Sequence, residues 1–112
     1  MKLVIAVVRP YKLQEVKDAL SKIGVTGLTV TDVRGAGKQK GQIERYRGSE
    51  YNIDLIAKCK IEMAISDDQT EDALQTIRNS AYTGEIGDGK IFVLPLDDCM
   101  RIRTGERGED SL

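Results

Sequence analysis

The chain predicts an α+β fold of the ferredoxin-like βαββαβ type, an antiparallel sheet with both helices on one face. Three observations carry that expectation. Apolar periodicities follow one another as strand, helix, strand, and then again as strand, helix, strand. A long polar, glycine-rich loop separates the halves between strands two and three. The length of 112 residues, 40% hydrophobic and 31% charged, suits one globular domain, 1–112, with a modest core.

Residues 2–8 are almost wholly apolar, as in a central strand covered on both faces, and Pro10 ends the run. Leu13, Val16, Leu20 and Ile23 then recur at helical spacing, with Gly24 placed as a left-handed cap. A second strand runs through Leu28, Val30 and Val33, alternating with Thr29 and Thr31. From Ile53 to Ile65 every odd position is apolar; at about 3.3 Å per residue that run would reach about 43 Å, long enough to overhang a small core. Ser66, Asp67 and Asp68 can cap a second helix whose stripe is Thr70, Leu74, Ile77 and Ala81. Residues 91–96 read as a fourth strand, and 100–103 as a short fifth. Helices on one face leave apolar residues on the other, which homo-oligomerisation would bury.

Composition excludes several classes. No apolar run approaches the roughly 20 residues of a membrane span, and the start does not resemble a signal peptide, so no membrane insertion and a cytoplasmic location are expected. The chain has no histidine, which removes Ser-His-Asp and Cys-His catalysis. Its two cysteines, Cys59 and Cys99, are too few for a disulfide framework. A net charge of -1 speaks against nucleic-acid binding.

Two stretches point to chemistry. In 82–90, Gly84-Glu85-Ile86-Gly87-Asp88-Gly89-Lys90 satisfies G-x-x-x-x-G-K, yet Ile91 lacks the metal-binding hydroxyl and the order is helix, loop, strand. Glycines that let backbone N–H groups approach phosphate, with Lys90 beside them, still suit a phosphate loop; the plain alternative is a turn. Arg101 and Arg103, two apart on an extended segment within 98–112, would point the same way and suit bidentate phosphate contacts, or merely keep an edge soluble. The segment 35–52 is a long, basic, glycine-rich stretch. Its Gly35-Ala36-Gly37-Lys38-Gln39-Lys40-Gly41 run has the wrong spacing for a dinucleotide fingerprint, while Gln39 could meet a metal and Lys58 a carboxylate. Further on, Arg45-Tyr46-Arg47-Gly48-Ser49-Glu50-Tyr51 offers hydroxyls beside arginines.

Together these segments resemble the PII family of nitrogen-regulatory signal transduction proteins. The resemblance rests on Tyr46-Arg47-Gly48-Ser49-Glu50-Tyr51, on Thr83-Gly84-Glu85-Ile86-Gly87-Asp88-Gly89-Lys90-Ile91-Phe92-Val93, on Lys38-Gln39-Lys40-Gly41, and on Arg101-Ile102-Arg103-Thr104-Gly105-Glu106. It implies a non-enzymatic homotrimer that senses nitrogen, carbon and energy status, with nucleotide sites between subunits for ATP or ADP. Residues Thr29, Gly37, Lys38, Ala64, Gly87, Asp88, Gly89, Lys90, Arg101 and Arg103 match those sites. The likeness further implies Mg²⁺ at Gln39, and 2-oxoglutarate at Gln39, Lys40, Gly41 and Lys58. Ser49 and Tyr51 match the family's modified positions, and Arg47 a residue that enters an ammonium channel. The implied partners are N-acetylglutamate kinase, an ammonium transporter or a transcriptional coactivator, and the form around Ser49 leans to the cyanobacterial side. Ala36 and Lys38 depart from the usual phenylalanine and arginine; lysine keeps the charge without the planar fork.

Two other classes compete. An enzyme on the same fold would need Asp88, Glu62 or Glu44 as base or nucleophile. An RNA-binding domain would need sheet aromatics, and the chain has one Phe, no Trp and four Tyr, of which Tyr46 and Tyr51 lie in the long loop.

Overall fold

The computed structural model describes residues 1–36, 43–46, 49–52 and 55–112, with the backbone alone for 43–46 and 49–52. Its elements are β1 (Lys2–Val8), α1 (Leu13–Lys22), β2 (Thr29–Gly35), β3 (Ile43–Tyr46), β4 (Ser49–Asn52), β5 (Ile56–Ile65), α2 (Asp67–Ala81) and β6 (Gly89–Pro95). Four strands form one antiparallel sheet in the order β2-β5-β1-β6, the predicted ferredoxin-like arrangement. β1 is central, which accounts for its apolar run. Val4, Ala6 and Val8 are buried on its helix side, whereas Leu3, Ile5 and Val7 on the other side are only half-buried.

The core lies between the sheet and the helices. Val16 and Leu20 of α1, and Ala73, Ile77 and Ala81 of α2, pack with Cys59, Ile61, Met63 and Ile65 of β5. Gly24 caps α1 as expected: φ is +86°, its N–H donates to Ser21 O at 3.0 Å, and Val25 N–H donates to Leu20 O at 3.0 Å. This capping geometry reverses the chain and drops Val25 into the core beside Leu20. Ile23 consequently turns outward, 37% exposed, instead of completing the buried stripe. In α2 the stripe is centred one residue earlier than predicted at its middle, on Ala73, because a small side chain lets the helix approach; Thr70 and Leu74 are half-buried.

Three further expectations change. β5 begins at Ile56, Leu55 is 61% exposed, and the odd-position core starts only at Cys59. Within the stretch 35–52, read as a long loop between strands that could continue into it, β3 and β4 pair as an antiparallel two-stranded sheet, Tyr46 opposite Ser49 and Ile43 opposite Asn52. The expected fifth strand at 100–103 is absent. Met100 makes one bridge to Arg107, and Arg101 N–H donates to Glu106 O at 2.9 Å, so that 102–104 form a turn. The backbone there is folded, so Arg101 and Arg103 do not share the side of an extended segment. No helix of the described residues is long and apolar enough to cross a membrane.

Ile77 is wholly buried and Ile102 is 99% exposed. Ile77→Ala should therefore cost about 2–5 kcal/mol in a denaturant titration, and Ile102→Ala less than about 0.5 kcal/mol. Equal losses would contradict this core.

Candidate functional site

α2 ends at Ala81 and β6 begins at Gly89, two residues earlier than predicted. The intervening loop is built around one carboxylate. Asp88 Oδ2 accepts from Thr83 N–H at 2.8 Å and Gly84 N–H at 2.9 Å, and Oδ1 accepts from the Thr83 hydroxyl and from Arg9 Nε at 3.1 Å. Arg9, at the end of β1, also donates through Nη2 to Ile86 O at 2.9 Å. Lys58, from β5, donates through Nζ to Gly87 O. Two basic side chains from neighbouring strands thus hold consecutive loop carbonyls.

Partial burial opposes ionisation of Asp88, but the bonds from Thr83, Gly84 and Arg9 outweigh it and hold its pKa far below the ordinary carboxylate range. Lys58 is 8% exposed, and its pKa is lowered, first by desolvation and then by the Arg9 charge, with Asp88 partly offsetting them. Lys58 stands among the polar, even positions of β5, yet it is buried. The folded loop covers it.

Glycine is demanded at position 89 by two constraints. Its φ is +109°, and a Cβ there would stand 1.8 Å from Val7 O. Register explains the approach: Val8 faces Gly89 and Val7 faces Lys90 across the β1–β6 pair. Gly84 (φ +88°) and Gly87 (φ +103°) make the bends between.

Behind the loop, on the helix side, a cavity of about 450 Å³ is lined by Leu74, Arg78, Tyr82 and Ile91 among others. A hollow of about 350 Å³ lies beside Lys58, between Pro10 and the end of β2. Thr29, opposite Glu62, and Ala64, opposite Leu3, lie on the helix-free face of the sheet. Gln39, Lys40, Gly41, Gly37, Lys38 and Arg47 lie outside the described residues, and for Ser49 and Tyr51 only the backbone of β4 is described.

Arg101 and Arg103 are not brought to this loop. β6 starts at the loop and ends at Pro95, opposite Lys2, seven residues and roughly 20 Å away. The segment 98–112 leaves from that far end and folds on itself: Arg107 Nε donates to Asp98 Oδ2 at 2.9 Å, and Gly108 N–H to Cys99 O at 2.9 Å. Among the described residues no hydrogen bond or ion pair joins it to 82–90. Arg9, on the other hand, is central to the site and was missed from sequence. Its only signal was a basic residue closing an apolar strand before Pro10.

Two of the three carboxylates named for catalysis are engaged in contacts of their own, while for Glu44 only the backbone of β3 is described. Asp88 is committed to its four donors, and Glu62 pairs with Lys60 at 3.1 Å.

Comparison with known proteins agrees with the geometry. A family model described as "Nitrogen regulatory protein P-II" matches residues 1–106. The chain is 53% identical over 112 residues to the nitrogen regulatory protein GlnK of Escherichia coli K12, covering all of both chains. It is 50% identical over 112 residues to the nitrogen regulatory protein P-II of Azospirillum brasilense, again covering all of both. The crystal structure of Arabidopsis thaliana PII bound to citrate superposes with a TM-score of 0.81 at 48% identity, covering 99% of this chain and 91% of that one.

Gly89→Ala should displace the start of β6, since backbone at Val7 cannot yield as a side-chain tip would; loss of amide-exchange protection at Lys90 and Val8 would report it. Asp88→Asn should destabilise the loop by about 1–3 kcal/mol. Because the folded pKa of Asp88 is depressed, its contribution is present above the ordinary carboxylate pKa of about 4. It disappears only as pH falls through the lower folded value. Wild-type loop amide signals should thus persist down to about pH 4, and loop opening already at pH 6 would contradict the assignment.

Proposed function

The chain belongs to the nitrogen regulatory protein P-II family, and from that premise we propose a sensor of nitrogen, carbon and energy status that binds ATP or ADP and, with Mg²⁺–ATP, 2-oxoglutarate. Members of this family are signal-transduction regulators and not enzymes. The observation that carries the ligand reading is the clamped loop. Its glycines hold backbone at positive φ, and Lys90 follows directly at its exit. A loop ordered before ligand arrives loses little conformational freedom on binding phosphate.

Within 1–112 as a single domain, 82–90 is the phosphate loop, 35–52 the signalling loop and 98–112 the C-terminal segment. Gly87, Asp88, Gly89 and Lys90 would serve the phosphates, with Asp88 acting through the loop it orders. Thr29 and Ala64 lie on the open sheet face where a base could rest. Arg101 and Arg103 emerge at the other end of the sheet, so they would serve a neighbouring copy's loop. That separation, with half-exposed Phe92 (46%) and Leu94 (42%) on the helix-free face, supports a homotrimer with sites between subunits.

Lys58 beside Arg9 suits a dicarboxylate, and the citrate held by the Arabidopsis relative is a polycarboxylate. Lys40, Gly41 and Gln39 would complete that subsite. Among the described residues no group of three His, Cys, Asp or Glu could hold a metal. Mg²⁺ would therefore rely on phosphate oxygens and Gln39, in keeping with its preference for few protein ligands. Ser49 and Tyr51 are the proposed modification positions. Arg47 is the proposed contact to a partner such as an ammonium transporter, N-acetylglutamate kinase or a transcriptional coactivator, in the cytoplasm.

Calorimetry should show ATP binding, and 2-oxoglutarate binding only when Mg²⁺–ATP is present. Lys58→Met should abolish the second and, because Gly87 O loses its donor, weaken the first only in part; Arg103→Gln should weaken ATP about tenfold, the worth of one charge-assisted hydrogen bond. Absence of 2-oxoglutarate binding in Mg²⁺–ATP would sink the proposal.

A further inference from the structure

Arg101 and Arg103, the paired phosphate ligands of the reading above, are not equally available. Arg103 is exposed at the turn and makes no hydrogen bond or ion pair among the described residues. Arg101 is occupied. Its Nη2 donates to Ser111 O at 3.3 Å and Leu112 O at 3.2 Å, while Nη1 lies 3.8 Å from Glu106 Oε1. The residues that occupy it are themselves anchored. Ser111 Oγ is 3.2 Å from Cys99 O and 2.6 Å from Gly108 O, and Leu112 N–H donates to Glu109 O at 3.2 Å. A short 3₁₀ turn, Gly108–Ser111, thus presents two backbone oxygens to the guanidinium.

We propose that residues 108–112 form a latch that competes with nucleotide phosphate for Arg101. This rests on the nucleotide reading of Arg101. A guanidinium is a rigid planar fork, so the Nη2 edge turned to Ser111 and Leu112 cannot also grip a phosphate bidentately. Phosphate is the stronger competitor, being a multiply charged acceptor against the exposed oxygens of Ser111 and Leu112. Capture starts at Arg103, which is open, and proceeds to Arg101 as the tail lets go. The latch holds by exposed contacts, and contacts of that kind are worth about twofold to fivefold in an equilibrium. It therefore sets a threshold for nucleotide without blocking it. Phosphate held by Arg101 and tail docking compete, so occupancy is legible at the C-terminal segment.

Two measurements on the full chain test this. In calorimetry, Ser111→Ala with Glu106→Gln should tighten ATP by about twofold to fivefold and leave adenosine, which has no phosphate for Arg101, unchanged. ATP affinity that stays the same or falls in this variant overturns the latch. In the unsubstituted protein, saturating ATP should raise the fast backbone motion of Ser111 and Leu112 seen by ¹⁵N relaxation. Tail amides that keep their rigidity at saturating ATP overturn it as well, whatever the variant's stability. If the unsubstituted chain does not bind ATP at all, the nucleotide reading itself is wrong, and the latch falls with it.

Discussion

The loop at the Gly89 end of the sheet depends on the passage of Gly89 over Val7. The strand that follows the loop can pair with β1 only if no side chain stands at that point. Once it pairs, Asp88 sits one residue before the strand, within reach of Arg9 at the end of β1. That single ion pair ties the loop to the sheet's central strand. The remaining Asp88 bonds gather Thr83 and Gly84, and Lys58 closes the other side on Gly87 O. The loop's shape is thus inherited from the sheet's register, a long-range property, and not from its own sequence.

That origin explains what could and could not be read in advance. Periodicity marked β1, α1 and α2, and Gly24 marked the end of α1, because those features are local and repeat along the chain. Thr83 to Lys90 was recognisable as a glycine-rich loop, yet its glycines were credited only with letting phosphate approach. Gly89 answers first to Val7, a residue far away in sequence. Arg9 and Lys58 were hidden for the same reason. Lys58 falls on the polar side of a clean alternation, and only the loop that folds over it makes it buried. Ala73 displaced Leu74 from the buried stripe because helix-to-sheet distance, which no single helix encodes, decides whether a small side chain is needed.

The C-terminal segment failed differently. Arg-Ile-Arg alternates like a strand, but no neighbouring strand is there to pair with, and an extended segment without a partner leaves its backbone groups to water. The chain finds partners within itself instead. Arg101 N–H meets Glu106 O, and Gly105 N–H meets Arg101 O at 2.8 Å, with Gly105 at φ +75° allowing the return. Ile102, 99% exposed at the tip, is what that turn costs.

The loop and the arginines therefore stand at opposite ends of one sheet, each ordered by its own contacts. Among the described residues no hydrogen bond or ion pair brings the two together within one copy. Between copies the same two parts can meet as rigid bodies, with the half-buried Leu3, Ile5 and Val7 and their neighbours on β6 supplying apolar area for the encounter. A ligand bound there would be touched by two chains, so its free energy would favour the assembly as well as the loop state. Regulation in this molecule would then be a property of the oligomer, and the single chain carries only the halves from which it is made.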